Sequence, residues 1–278
     1  MTAGMVCDVM TSSAARGRGV FTELGRYSLS RMHDSPLDFV TGYPIRPEVM
    51  GGHLRVGWKV AFELPMYLRP LRSEALLASR GVGMMAPIAN VGVRAFAAIT
   101  SGRTRRGGFD CEVGAPAELV GRPEFATFLA RWSGSVANHL VKTPSFYAWR
   151  LGAPGTRYTV VQVRRGERVV AAAIGRAAEL QGIPSFALLD LMFLEEERDA
   201  LATLYGEVDR VARDLGVEAI VTMMSRHQAR RHHLRRFGFL RSPFAFTLII
   251  RSVSDSLDVE SICAEADWHL MWIDSDDL

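Results

Sequence analysis

The fold of this chain is decided by the stretch Met5–Met32, MVCDVMTSSAARGRGVFTELGRYSLSRM. Its apolar run, Met5–Met10, predicts a β-strand that leads into a Ser/Ala turn. The turn continues into Arg16-Gly17-Arg18-Gly19, and apolar residues then recur at near-helical spacing from Phe21 to Leu29. The order strand, glycine-rich turn, helix is therefore predicted for the start of the chain.

That order creates a site for an anion. The first backbone N–H groups of a helix have no partner within the helix, and the helix dipole adds partial positive charge there. Glycines let a phosphate approach the backbone, while Arg16 and Arg18 add full charges. The site is only one turn long, which suits a pyrophosphate. The spacing matches neither the G-x-G-x-x-G dinucleotide fingerprint nor the G-x-x-x-x-G-K-[ST] loop of NTPases.

The segment from Arg16 to Phe21 resembles motif A of the GNAT acyltransferases, [QR]-x-x-G-x-[GA]. Arg16 and Gly19 fill the first two defined positions, and Phe21 replaces the small third residue. The resemblance implies that acetyl-CoA or another acyl-CoA is the co-substrate and that an acyl group moves to an amine on a small molecule or peptide. It implies contacts to the cofactor from Val9, Met10, Arg16, Gly17, Arg18, Gly19, Val20 and Phe21. An ordinary strand-to-helix turn with solvated arginines is the alternative.

Two residues are candidates for proton transfer. Family members often carry Tyr-x-x-x-Gly-Phe after this region, with the tyrosine protonating the departing CoA thiolate. Gly57-Trp58 resembles the end of that pattern and places His53 at the tyrosine position. An imidazole can supply that proton, although a surface histidine is the alternative interpretation. Asp8 is the nearby carboxylate that could accept a proton from the amine, against a role as an edge or capping residue.

The second half of the chain has the order of helices and strands of a GNAT domain but lacks its phosphate-binding turn and its proton donor. Helices, three strands, a helix, a strand, a helix and a last strand are predicted between Glu124 and Ile250, which is the order of a GNAT domain. In the phosphate-loop position, however, stand Glu195, Glu196 and Glu197, which repel a pyrophosphate. Leu234 stands at the tyrosine position and cannot donate a proton.

The predicted fold class is α/β, with two GNAT-like mixed-sheet units of which the first lacks its N-terminal strands. The expected ranges are a partial unit with motif A (1–72), a linker or interface segment (73–120), a degenerate second unit (121–253) and an acidic, aromatic segment (254–278). The strand near Val6 should then be a sheet edge, paired only with the strand near Val40. Such an edge favours a homodimer. A non-catalytic binding or scaffold protein is the alternative to an enzyme.

Composition narrows the function classes. The chain has 278 residues, 48% of them hydrophobic, with a net charge of +3 and a mean hydropathy of +0.08, which describes a globular protein and not a polyanion binder. Three distant cysteines and the absence of a signal-peptide pattern favour a cytoplasmic location and predict neither a metal site nor a disulfide framework.

Three further stretches call for interpretation. The apolar stretch 81–100 is interrupted by Arg94 and Pro87, so it predicts a buried or interface segment and not a membrane helix. The Arg/His-rich run 226–236 lacks interleaved aromatic residues, which favours a solvated helix face balancing nearby acids over nucleic-acid binding. The segment 254–278 has eight carboxylates, no Lys or Arg, and two tryptophans, so we expect it to dock back on the protein, with contact to a partner as the alternative.

Overall fold

A computed structural model describes residues 1–7, 9–44, 47–74, 86–101, 108–254 and 257–275. The chain forms two compact units. Unit 1 comprises Met1–Pro65 and Phe244–Asp267, and unit 2 comprises Met66–Pro243 and Trp268–Leu278.

The described residues form strands joined by α-helices and short 3₁₀ turns. The strands are β1 (Ala3–Val6), β2 (Phe39–Gly42), β3 (Lys59–Pro70), β4 (Asp110–Gly114), β5 (Asn138–His139), β6 (Tyr158–Arg165), β7 (Arg168–Leu180), β8 (Ile183–Phe193), β9 (Ala219–Met223), β10 (Leu240–Ser252) and β11 (Trp268–His269). The α-helices are α1 (Val20–Met32), α2 (Pro47–Arg55), α3 (Ala86–Ser101), α4 (Pro116–Leu119), α5 (Pro123–Ser133), α6 (Pro144–Leu151), α7 (Ala200–Asp214) and α8 (Arg226–Arg231).

Unit 1 is built on a parallel strand pair. Strand β1 runs parallel to β2, and β2 pairs antiparallel with β10. Parallel neighbours require a crossover connection, and α1 provides it. Apolar residues from β2, α2 and β10 close the core around Trp58. Among the described strands of this unit β1 is terminal and pairs with β2, which confirms the predicted edge strand.

Two strands differ from the sequence-based prediction. The run Met5–Met10 predicts a strand reaching Met10, but β1 ends at Val6, where its partner β2 ends at Gly42, shortly before Pro44. The pattern around Pro65 predicts two short strands, whereas β3 is continuous through that proline. In both cases the length of a strand is set by its neighbour and not by its own pattern.

Unit 2 has the strand order β3-β9-β8-β7-β6-β4, in which β8 and β9 are parallel and the other neighbouring pairs are antiparallel. Helix α7 is the crossover from β8 to β9, and it buries an apolar face that includes Leu204 and Val208. The predicted order of elements is confirmed. The helix predicted over Gln228–Phe237 is instead α8 followed by a 3₁₀ turn, because His233 adopts a left-handed conformation with φ 52°.

The apolar stretch that raised the membrane question is described only from Ala86, where it forms α3. Thr100, near the end of α3, is buried, and its hydroxyl lies 3.1 Å from Arg69 Nη1. Within the described ranges, we find no helix that combines the length and the apolar character needed to cross a membrane.

The interior of unit 2 contains a buried group of charges. Lys142 Nζ lies 3.0 Å from both carboxylate oxygens of Asp190 and 3.2 Å from Asp274 Oδ1, and these three side chains are at most 1% exposed. The Tyr147 hydroxyl donates to Asp190 over 2.6 Å, and His269 Nε2 lies 3.4 Å from the same carboxylate. Burial alone would raise the pKa of Asp190, but the adjacent Lys142 ammonium and the hydrogen bond with His269 hold that pKa well below its usual value.

Replacing Lys142 tests how far unit 2 depends on this group. Lys142→Met leaves two carboxylates buried side by side without their cation, so it should destabilise unit 2 by about 3–5 kcal/mol. The chain offers a matched control, since its other lysine, Lys59, forms an ion pair with Glu260 in which both side chains are exposed. Lys59→Met should leave the free energy of unfolding nearly unchanged. Chemical denaturation followed by circular dichroism measures both, and equal effects would contradict the prediction.

Candidate functional site

The candidate site lies between β1 and α1. A 3₁₀ turn at Ser13–Ala15 leads into two glycines with left-handed backbones, Gly17 (φ 74°) and Gly19 (φ 78°). Helix α1 begins directly after Gly19, which is its N-cap. A residue with a Cβ is strained in this conformation, so glycine at both positions is what lets the turn reverse so tightly before the helix.

The start of α1 is left without a protein cap. Gly19 has no side chain to accept from the first helical N–H groups, whereas α8 is capped by Ser225, whose hydroxyl accepts from Gln228 N over 3.1 Å. Within the part of the chain that the structure describes, no acceptor is found for the backbone N–H groups of Val20 and Phe21. These donors and the helix dipole are available to an anion from outside the chain.

The turn carries positive charge. Arg16 and Arg18 are both exposed, and neither forms an ion pair with any described residue. Their guanidinium groups are therefore available to a phosphate, for which arginine offers bidentate hydrogen bonds. Glu23, in the first turn of α1, is paired with Arg26 and does not face the turn as an unpaired carboxylate.

Beside this turn, unit 1 forms a partly open apolar cavity of about 90 Å³. One stripe of α1 forms one wall of the cavity. The other walls come from β1, from the segment that follows β1, and from α2 with the residues after it. The lining residues are Val6, Val9, Phe21, Leu24, Gly25, Ser28, Leu29, Met32, His53, Val56 and Trp58. No residue of α1 is fully buried, so the helix leaves this stripe incompletely packed. Phe21, the second residue of α1, has its N–H at the uncapped helix start and its ring in the cavity lining, so the turn and the cavity are parts of one site.

His53 lies in α2 with its ring between two aromatic residues. Its ring centroid is 4.9 Å from that of Phe21 and 5.4 Å from that of Trp58, both in edge-to-face geometry. Burial against these rings lowers the pKa of His53 below its ordinary value. The imidazole is therefore neutral at neutral pH, and protonation becomes more common only as the pH falls.

The residues predicted from the sequence are partly brought together. The run from Arg16 to Phe21 forms the glycine turn and the first two residues of α1, Phe21 contacts His53, and Val9 lines the cavity. Met10 is 86% exposed and lies outside β1. Asp8, the candidate base, lies outside the described residues.

Beyond Val9, Phe21 and His53, the residues that line the cavity were not predicted as site residues. The missed residues of α1 follow a helical spacing of three and four that continues from Phe21: Leu24, Ser28, Leu29 and Met32. That spacing was visible in the sequence. It does not distinguish a stripe that is packed from one that borders a cavity.

The region after each crossover shows that the two units repeat one another. In unit 1 the N–H of Trp58 donates to His53 O over 3.2 Å, around Gly57 with φ 86°. In unit 2 the N–H of Phe239 donates to Leu234 O over 3.0 Å, around Gly238 with φ 80°. Both are the hydrogen bond and left-handed glycine of a Schellman motif. Leu234 is thus the counterpart of His53, and it is buried.

The turn before α7 differs from the turn before α1 in charge. Glu195, Glu196 and Glu197 form a 3₁₀ turn there, and each is held by arginine. Glu196 pairs with Arg131 over 2.6 Å, Glu197 pairs with Arg165 over 2.7 Å, and Glu195 pairs with Arg198 and Arg231. Arg231 belongs to the basic run 226–236, so part of that run balances these acids as predicted.

Two neighbouring glycines of α2 test the packing of the site. A Cβ on Gly52 would lie 2.6 Å from the Phe21 ring, whereas one on Gly51 would meet nothing within 4 Å. Gly51→Ala should stabilise unit 1 by about 0.5–1 kcal/mol, since alanine favours helix. Gly52→Ala should lower stability by about 1–3 kcal/mol relative to Gly51→Ala, because it overpacks the site and displaces Phe21. Thermal unfolding of both variants measures this difference, and equal stabilities would show that Phe21 does not pack there.

Known proteins resemble this chain in sequence over its first residues and in fold over most of its length. Residues 1–61 match the acetyltransferase (GNAT) domain family. A search of curated protein sequences finds no significant match.

Solved structures with a similar fold include a GCN5-related N-acetyltransferase from Anabaena variabilis (10% identity, TM-score 0.63, covering 91% of this chain and 55% of that one). A second, from Kribbella flavida, has 13% identity and a TM-score of 0.56, covering 90% of this chain and 52% of that one. A tandem GNAT protein from the clavulanic acid biosynthesis pathway has 12% identity and a TM-score of 0.60, covering 91% of this chain and 76% of that one.

The chain spans about half the length of the first of these structures, and at such identities the likeness concerns the fold. Its repeated strand–turn–helix–strand order agrees with a tandem arrangement of two GNAT-like units. Residues 1–61 therefore match the acetyltransferase (GNAT) domain family, and the chain as a whole shares its fold with GNAT proteins.

Proposed function

We propose that this chain is an N-acyltransferase that moves an acetyl or other acyl group from acyl-CoA to an amine, with unit 1 holding the cofactor. The observation that carries the proposal is the uncapped start of α1 behind Gly17 and Gly19, flanked by two exposed arginines. This arrangement supports binding of a pyrophosphate at the helix N-terminus. The match of residues 1–61 to an acetyltransferase domain supports the assignment independently.

The reaction is a direct transfer. The amine nitrogen attacks the thioester carbonyl carbon, the carbon–sulfur bond breaks, and CoA leaves as a thiolate. The amine loses a proton to a base, and the thiolate takes up a proton. The apolar cavity beside Phe21 supports binding of the apolar part of the cofactor near His53.

We infer that unit 2 binds no CoA. The carboxylates of Glu195, Glu196 and Glu197 occupy its counterpart of the phosphate turn and already use arginines as partners. A pyrophosphate placed there would meet like charges. The proposal therefore gives a stoichiometry of one CoA per chain.

Replacing Gly19 tests cofactor binding. Gly19→Val should weaken the affinity for acetyl-CoA about tenfold or more, because a β-branched residue in a left-handed conformation costs about 1–3 kcal/mol and distorts the turn. Gly155→Val is a matched control, since Gly155 has φ 77° and an open surrounding in unit 2. It should have wild-type affinity.

Isothermal titration calorimetry of the full chain measures the affinity and the stoichiometry together. Unchanged affinity in Gly19→Val, or two sites per wild-type chain, would contradict the proposal. Binding at one site without turnover of any amine would favour the alternative of a non-catalytic GNAT-like binding protein.

A pH profile tests whether His53 donates the proton to the thiolate. If it does, His53→Gln should lower kcat/KM about a hundredfold at low pH. The loss should shrink as the pH rises above the lowered pKa of His53, because the wild-type imidazole is then itself deprotonated. If His53→Gln lowers kcat/KM equally at every pH, and His53→Phe has wild-type kcat/KM, then His53 is a packing residue between Phe21 and Trp58.

A further inference from the structure

In unit 2 the segment Trp268–Ser275, here called the tail segment, lies where α/β folds bind ligands. Strands β8 and β9 pair from Ser185 to Leu188 on the β8 side, and β8 then continues to Phe193 while β9 ends at Met223. The carboxyl ends of parallel neighbouring strands border such ligand crevices. The 3₁₀ turn of the tail segment, Trp272–Asp274, packs against β8.

The backbone of the tail segment is held as a bound peptide is held. Its first two residues form β11, which pairs in parallel with β5. Gln228 Oε1 accepts from Leu270 N over 3.2 Å, and Arg150 Nη2 donates to Ser275 O over 3.0 Å. Strand addition together with side-chain hydrogen bonds to the main chain is a recurring mode of peptide recognition.

Individual side chains of the tail segment are buried or make specific contacts with unit 2. Met271 and Trp272 are 0% and 1% exposed, so both side chains are buried in unit 2. Asp274 meets the ammonium of Lys142 at 3.2 Å, and His269 Nδ1 lies 3.0 Å from Gln228 Nε2. The crevice thus offers a hydrophobic pocket for an aromatic anchor and a buried cation for a carboxylate.

The fit is incomplete in its polar contacts. Within the described residues, four buried atoms at this interface have no hydrogen-bond partner: His139 Nδ1, His232 Nδ1, Trp272 Nε1 and Asp274 Oδ1, the last having only its ion pair. Burial also raises the pKa of Asp274 to about 6. Unsatisfied buried groups weaken docking.

We propose that unit 2 contains a peptide-binding crevice, specific for a short acidic segment with an aromatic anchor, and that the chain's own tail segment occupies it in exchange with such segments. This role is separate from acyl transfer in unit 1. It gives the unit that lacks the phosphate turn a recognition function built on Lys142, Gln228, Arg150 and β5.

Hydrogen exchange on the wild-type full chain tests whether the tail segment opens by itself. The amide of Leu270 donates to the Gln228 side chain and reports on docking directly, whereas the buried amide of Met271 donates to Asp274 within the tail segment. We expect them to exchange through local opening, faster than the amides of β8 and with little dependence on denaturant. Exchange of both sets with the same rate and the same denaturant dependence would overturn the proposal, because the tail segment would then be an inseparable part of the core.

Amine labelling tests the crevice in a full-length variant. The chain has two lysines, exposed Lys59 and buried Lys142, so Lys59 is an internal reference. Trp272→Ala removes the anchor and should raise the rate at which an acetylating reagent modifies Lys142 roughly a hundredfold, with an unchanged rate at Lys59. Trp149→Ala, at a tryptophan that is 74% exposed, should leave Lys142 protected.

A free peptide with the sequence of residues 268–278 should restore protection of Lys142 in Trp272→Ala, and the same peptide carrying Asp274→Asn should restore less. Failure of the wild-type peptide to protect would overturn the proposal, as would labelling of Lys142 that appears only with loss of the circular dichroism signal. Binding of acetyl-CoA is measured on the same samples and should be unchanged, so failure of this proposal is distinguishable from failure of the acyltransferase proposal.

Discussion

Parallel pairing of two strands is the constraint on which both units depend. Strands β1 and β2 in unit 1, like β8 and β9 in unit 2, run in the same direction and so cannot be joined by a hairpin. Each pair needs a crossover helix, α1 or α7, and the turn into that helix lies at the carboxyl end of the first strand. The backbone geometry thus places a helix N-terminus and a crevice at the same edge of the sheet in each unit.

Side-chain chemistry then makes the two turns different. In unit 1 two left-handed glycines leave the helix start uncapped and exposed, with Arg16 and Arg18 beside it. In unit 2 the corresponding positions hold glutamates whose charges are satisfied by arginines within the unit. One turn therefore retains unsatisfied donors for an external anion, whereas the other has become part of an internal ion-pair network. The same contrast holds between His53 and buried Leu234 after the crossover.

The buried charges of unit 2 show why its crevice is not simply empty. Lys142 cannot be buried without a carboxylate, and Asp190 on β8 provides one. Asp274 adds a second carboxylate from the tail segment, with which Lys142 also pairs. The tail segment is thus attached through the Asp274 carboxylate, whereas Asp190 alone already neutralises the charge of Lys142. A contact of this kind is suited to exchange, since removing it leaves the Lys142–Asp190 pair intact.

Features that arise from a few neighbouring residues could be predicted from the sequence. Arg16-Gly17-Arg18-Gly19 before an amphipathic run specifies a phosphate turn, because glycine conformation and helix ends act within a few residues. The three glutamates after β8 and the apolar character of Trp268–Ile273 likewise indicated a turn without phosphate chemistry and a segment that docks. Which residues complete each unit, in contrast, follows from the three-dimensional fold. Strand β10 joins β2 from more than half the chain away, and Lys142, Asp190 and Asp274 meet from three distant segments. No pattern along the chain encodes those meetings, because they follow from strand register and from the low dielectric of the interior, which brings a buried cation and its carboxylates together wherever they stand in the sequence.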